Sequence, residues 1–232
     1  MVSLDLADEL EFSAGDGLEV VDAVRWVGSR VEVPVLSDVP VSENLVVRAL
    51  DLVGRRAHVR LVKRIPPGAG LGGGSADAAA VLRWAGVEDL TLAARLGADV
   101  PFCLRGGRAM VRGVGEIVEG LAPAEQVFVV VTPSFGVSTV AVYAAFDEVG
   151  APTPGFATND LERAALVVEP RLVHFRELLA EASGLQPSLA GSGATWFVEC
   201  EPPEAPAVAG EIRRRVETTK LSALVAVTRA VP

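Results

Sequence analysis

A chain of 232 residues and 24.2 kDa in which 50% are hydrophobic has ample material for one large core or two modest ones, which excludes a disordered polymer. Its 21 Lys plus Arg against 30 Asp plus Glu leave a formal charge of −9 and a pI near 4.8, which excludes nucleic-acid binding through a broad basic face. The mean hydropathy of +0.38 comes from Ala and Val, because no apolar run approaches the roughly twenty residues that span a bilayer.

The N-terminal MVSLDLADELEF alternates apolar and acidic residues without a basic start or an apolar core, so residues 3–12 read as a strand and not as a signal peptide. Residues 18–24 read as a second strand, 43–54 as a helix with apolar positions at helical spacing, and 58–64 as a third strand. Residues 66–82, PPGAGLGGGSADAAAVL, then run Gly70, Gly72, Gly73 and Gly74 directly into an alanine-rich helix. Glycines let the backbone turn left-handed and aim several N–H groups at one point, and the free amides and dipole of a following helix favour an anion. Ser75 and Asp77 are the N-cap candidates of that helix. The segment therefore reads as a phosphate cradle. It is not a P-loop, since Ser75 stands where that pattern has Lys. Gly68, Gly70 and Gly73 match GxGxxG, but Pro66 and Pro67 ahead of them and the lack of a βαβ partner strand ending in an acid argue against a dinucleotide fold. A tight strand-to-helix turn that binds nothing is the competing reading.

A short helix over 90–96 leads into LGADVPF, where Asp99 follows Gly97 and Ala98 and stands just ahead of Pro101, at an element boundary. A carboxylate there can face a cleft, orient a hydroxyl and accept its proton, as phosphoryl transfer requires; a capping or surface aspartate is the alternative. Residues 108–112 and 116–121 read as a hairpin around Gly113 and Gly115, and Pro123 marks a boundary between units 1–122 and 123–232. Cys103 and Cys200 lack the paired spacing of a zinc site or a disulfide framework and read as buried thiols in a reducing compartment, while His58 and His174 read as surface residues.

In the second unit 126–132 is a buried-strand run and 139–146 a helix, with Thr139 and Tyr143 four residues apart on one face. The ring of Tyr143, the chain's single tyrosine, suits either stacking on a base or core packing. Residues 151–156 read as a loop, 170–183 as an amphipathic helix between Pro170 and Gly184, and 188–189, 196–199, a helix near 204–218 and 222–228 complete an alternating α/β half. Gly191, Ser192 and Gly193 form a second small-residue loop ahead of a strand, with an ordinary turn as its alternative reading.

From Lys63, KRIPPGAGLGGGSADAAAVL resembles the second motif of the GHMP small-molecule kinases, and within them the branch that acts on 4-diphosphocytidyl-2-C-methyl-D-erythritol. SENLVVRA at 42–49, LGADVPF at 96–102, NDLE at 159–162 and LAGSGAT at 189–195 resemble further family segments in the same order, so the resemblance runs from about Leu4 to the end. It implies an α+β, two-domain architecture: a ribosomal S5 domain 2-like N-terminal domain, here shortened, and a ferredoxin-like C-terminal α/β sandwich. It implies a kinase that transfers the γ-phosphate of ATP to the 2-hydroxyl of that cytidine diphosphate-linked polyol, in the non-mevalonate isoprenoid route. The resemblance assigns the ATP phosphates to Pro66, Gly68, Gly70, Leu71, Gly72, Gly73, Gly74, Ser75 and Ala76, catalysis to Asp99, the cytidine end to Thr139 and Tyr143, and closure over the site to Gly191, Ser192 and Gly193. Mg2+ is expected, with Ser75 as a candidate ligand, in a cytoplasmic monomer or weak homodimer that binds neither membrane nor nucleic acid.

Two departures accompany the resemblance. The family's PAKxN-like strand, whose lysine lies near the reacting hydroxyl, and its DGYH-like turn have no counterpart, since Met1 aligns just after them. The expectation is a start at an internal methionine with the missing strand encoded upstream; the alternatives are a shortened, non-catalytic nucleotide-binding relative and a GHMP kinase for another alcohol. Lys63 matches a lysine in the strand before the glycine loop and does not fill the missing role, and Ala76 stands where a second small polar residue is common.

Overall fold

The computed structural model describes residues 1–28, 40–150 and 159–232; the loop expected at 151–156 lies outside the described residues. Its first half builds a three-stranded sheet from β2 (Glu9–Ser13), β3 (Gly17–Asp22) and β5 (His58–Lys63). Strand β5 is central, antiparallel to β2 and parallel to β3. Its alternation sends Val59, Leu61 and Lys63 inward and leaves His58, Arg60 and Val62 partly exposed. Helices cover the inner face: α1 (Leu45–Val53), α2 (Gly73–Trp84), α3 (Leu90–Ala94) and α4 (Val100–Arg105). Val46, Leu61, Leu82 and Val100 are the centre of this core. Helix α1 follows a 3-10 turn at Val41–Glu43, starts where the Asn44 side chain accepts from Val46 N at 2.9 Å and stops at Gly54 in the left-handed region. A hairpin of β6 (Ala109–Arg112) and β7 (Ile117–Gly120) closes this half.

The second sheet runs β1-β11-β8-β10-β9, with β4 also pairing β11, where β1 is Ser3–Leu4, β4 Trp26–Gly28, β8 Val127–Pro133, β9 Ser188–Leu189, β10 Trp196–Glu199 and β11 Ser222–Val231. Strand β8 is buried along its whole length. Around it lie α5 (Thr139–Val149), α6 (Glu162–Val168), α7 (Leu172–Ser183) and α8 (Ala205–Thr218), with Trp196, Phe175, Leu179 and Ile212 in the shared core. Two strands that precede Pro123 thus pair into this sheet.

The continuous strand expected at 3–12 is a correction. It is broken at residues 5–8 into β1 and β2, which belong to different sheets. Asp5 accepts from Thr228 Oγ1 at 2.6 Å and Arg229 N at 2.9 Å, whereas Asp8 turns toward β5, so the two aspartates pull the chain to opposite partners. Two short helices, α4 and α6, go beyond the expected elements.

Leu61→Ala, at a fully buried position, lowers the unfolding free energy by about 3 kcal/mol, whereas Val167→Ala, at a position 57% exposed, changes it by less than about 0.5 kcal/mol. Urea unfolding of the two variants beside the parent chain checks both.

Candidate active site

Between β5 and α2 the chain makes a turn in which Gly68, Gly70 and Gly72 all have positive φ, of 69°, 75° and 69°. Gly70 needs its missing Cβ twice over, for its φ and because a Cβ would lie 2.3 Å from Ala190 O and 2.6 Å from Gly193 O. The turn is laid backbone to backbone against residues 190–195. Ala194 N donates to Gly68 O at 3.1 Å and Thr195 N to Ala69 O at 3.0 Å. Buried Thr132 Oγ1 and Thr195 Oγ1, 2.7 Å apart, fasten the end of that loop to β8.

Helix α2 begins at Gly73 with Gly72 as its N-cap, so Ser75 and Asp77 are not caps. Ser75 sits in the first turn, and Asp77 is drawn inward by Lys63. The Nζ of Lys63 binds Asp77 Oδ2 at 2.8 Å and also Asp8 Oδ2, and all three side chains are at most 8% exposed. The other oxygen of Asp8 accepts from Arg64 N at 2.6 Å and Ile65 N at 2.9 Å, the two residues ahead of the glycine turn. Entry and exit of the turn are therefore tied to one buried ammonium. Burial alone would lower the Lys63 pKa, but Asp77 and Asp8 outweigh it and hold it above its ordinary value. Asp77 is pushed up to about 6, by burial first and by the Asp8 carboxylate second, against the pull of Lys63.

With no side-chain cap, the N–H groups of Gly73, Gly74 and Ser75 have no hydrogen-bond partner among the described residues, nor does the Ser75 hydroxyl. Unpaired amides at the positive end of a twelve-residue helix fit a phosphate group.

Asp99 precedes α4, whose first turn holds Pro101, and its side chain caps nothing. Its carboxylate has no hydrogen bond or ion pair among the described residues. The residue is exposed, and partial desolvation by its surroundings raises its pKa above the usual aspartate value. Helix α4 packs along α2. One turn beyond Asp99, the Cys103 thiol is pushed up to about 12 by burial and feels the charges of both Asp99 and Asp77. Across the seam, Thr139 Oγ1 lies 2.9 Å from Ser192 Oγ, and Tyr143 one turn along α5 is 54% exposed, which excludes its core-packing reading. The structure thus brings Gly68, Gly70, Gly191, Ser192, Gly193 and Thr139 together, whereas Asp99 and Tyr143 make no hydrogen bond, ion pair or ring contact with them. A cavity of about 450 Å³ at the far end of α2, lined by Arg83, Val87, Leu104 and Arg105, is separate from this seam.

Comparison with known proteins bears on this geometry. The GHMP kinases N terminal domain matches residues 44–107, from the N-cap of α1 past α4. The 4-diphosphocytidyl-2-C-methyl-D-erythritol kinase of Pelotomaculum thermopropionicum is 39% identical over 236 residues, covering 85% of this chain and 78% of that protein. The chain belongs to the GHMP kinase family. The kinase of the same name from Paramagnetospirillum magneticum is 35% identical over 91% of this chain and 83% of its own length. A crystal structure of 4-(cytidine 5'-diphospho)-2C-methyl-D-erythritol kinase superposes with a TM-score of 0.69 at 33% identity, over 99% of this chain and 88% of that one. Homoserine kinase from Cytophaga hutchinsonii shares the fold at a TM-score of 0.62 and 15% identity, over 99% and 88% of the two chains. The α+β GHMP architecture expected from the sequence is the one observed.

In this GHMP kinase, sequence reasoning missed Asp8 and took Asp77, the buried partner of Lys63, for a helix cap. The signal was present, since period-two alternation along β5 puts Lys63 on the same face as Val59 and Leu61, and a buried ammonium demands carboxylate partners. Asp77, set among Ala76, Ala78, Ala79 and Ala80, was the nearby acid inside an apolar helix face.

Lys63→Met leaves two buried carboxylates facing each other and costs about 3–5 kcal/mol, measured by chemical unfolding. Because the folded pKa of Asp77 is raised from 3.8 to about 6, folding takes up a proton in that window. The contribution of this group is fully present below the window and is lost as the pH rises through it. In Asp77→Asn the slope of stability against pH between those values is correspondingly flatter, as thermal melts across a pH series will show.

Proposed function

We propose that this chain transfers the γ-phosphate of ATP to the 2-hydroxyl of 4-diphosphocytidyl-2-C-methyl-D-erythritol, in the cytoplasm. The observation that carries the reading is an α2 N-terminus with unpartnered amides, together with a carboxylate at the start of neighbouring α4 that no described residue neutralises, in a family member whose relatives of 35–39% identity bear that kinase's name. A protein of net charge −9 repels a nucleotide at long range, so the local donors have to do the holding.

In this proposal the amides of residues 70–75 hold the ATP phosphates, with Pro66 and Gly68 shaping the turn; the Ala76 amide, expected to join them, already donates to Gly72 O at 2.9 Å. Bound Mg2+ would offset the phosphate charge, with the unpartnered Ser75 hydroxyl as the chain's ligand to it. Asp99 orients the attacking hydroxyl and takes its proton; its raised pKa brings it nearer to neutrality and makes it the better base. Loop residues Gly191, Ser192 and Gly193 close on the phosphates from the opposite side, while exposed Thr139 and Tyr143 on α5 receive the cytidine end, the ring by stacking.

The decisive measurement is ADP release from Mg-ATP with and without 4-diphosphocytidyl-2-C-methyl-D-erythritol. Acceptor-dependent release is expected, with kcat reduced by about 10²–10⁴ in Asp99→Asn and with a kcat/KM that rises as Asp99 ionises in the parent but not in the variant. A folded chain that binds nucleotide yet releases no acceptor-dependent ADP would instead be a non-catalytic nucleotide-binding relative.

A further inference from the structure

The loop at 190–193 carries two glycines of positive φ, Gly191 at 54° and Gly193 at 94°, and yet it lies against Gly70 with little room to move. What fixes it comes from another element. Asn159, just ahead of α6, donates from Nδ2 to Leu189 O at 2.8 Å and to Gly191 O at 2.7 Å, while its Oδ1 accepts from Leu161 N at 2.9 Å. With an N–H facing the oxygen and two carbonyls facing the nitrogen, the amide has a single orientation that satisfies all three. From the other side Ser192 is held by Thr139. The loop's own amides then reach across to the glycine turn, Ala194 N to Gly68 O and Thr195 N to Ala69 O.

We infer that Asn159 is a positioning residue for phosphoryl transfer, which sets the separation between the loop at 190–193 and the glycine turn so that one nucleotide can meet both. The inference rests on the kinase reading above. Aspartate is the diagnostic replacement. It is nearly the same size and still accepts from Leu161 N, but it offers no donor and sets a negative oxygen against two carbonyls. The fold around α6 is thereby preserved while the loop loses its tether.

The test combines amide hydrogen exchange, steady-state kinetics and calorimetric Mg-ATP titration on the full chain, its Asn159→Asp variant and, as the uncharged deletion, Asn159→Ala. Peptides covering 190–195 and 66–72 are expected to exchange faster in both variants. The KM and Kd for Mg-ATP are expected to rise about tenfold or more with kcat within about threefold, as loss of ground-state positioning requires. Unchanged exchange in those peptides overturns the inference, and so does faster exchange with unchanged KM and Kd. A parent chain that does not turn over would sink the kinase reading by itself, and exchange and Mg-ATP affinity would still decide the role of Asn159.

Discussion

One ammonium between two carboxylates governs the geometry of this molecule. Moving Lys63, Asp8 and Asp77 out of water is costly, and a buried ion pair of this kind is no source of great net stability. Its value lies in what it forbids. With Lys63 pointing inward from β5, both aspartates have to reach it, and this bends the chain after β1 and draws the first turns of α2 down onto the strand that precedes the glycine turn. The second oxygen of Asp8 then takes the amides of Arg64 and Ile65, which the bend at the end of β5 leaves without ladder partners. The turn that follows is suspended between two points of one electrostatic knot.

The glycines act within that frame in two different ways. Gly70 and its neighbours of positive φ give the turn its shape and let it touch the loop from the second half at backbone distance; Gly73 and Gly74 start the helix and leave its amides unobstructed. A protein with nine more acidic than basic residues cannot gather phosphate with a field of lysines. Oriented peptide dipoles serve instead, because they concentrate positive potential at one spot without altering the net charge.

Where the sequence was legible, the signals were local and complete. Helix α7 could be read from Pro170 to Gly184 because its punctuation and its apolar stripe agree, and β8 because a run of valines with no polar interruption has only a buried solution. The glycine turn, the strand before it and the helix after it were equally plain, and so was the boundary position of Asp99. What escaped was decided by partners far along the chain. The break between β1 and β2 comes from Thr228 and Arg229 pulling on Asp5 while Lys63 pulls on Asp8, and no window of a dozen residues contains that information. Reading Asp77 as a cap failed for the same reason, since aspartate at a helix start is ordinarily a cap and only a buried cation below it makes it something else. Helix α4, six residues long, is too short for periodicity to register.

The pairing of β1 with β11 couples residues 3 and 4 to residues 231 and 230, and β4 joins the same strand at 222–224. As the chain leaves the ribosome, β1 and β4 lack their partner strand until β11 has emerged, although the N-terminal residues meet Gly107 to Ala109 earlier. Contacts of such separation are entropically slow to close and expose strand edges in the interval. The second sheet is thus completed only once β11 has emerged, and a nascent chain of this architecture has most to gain from a chaperone while β1 and β4 await it.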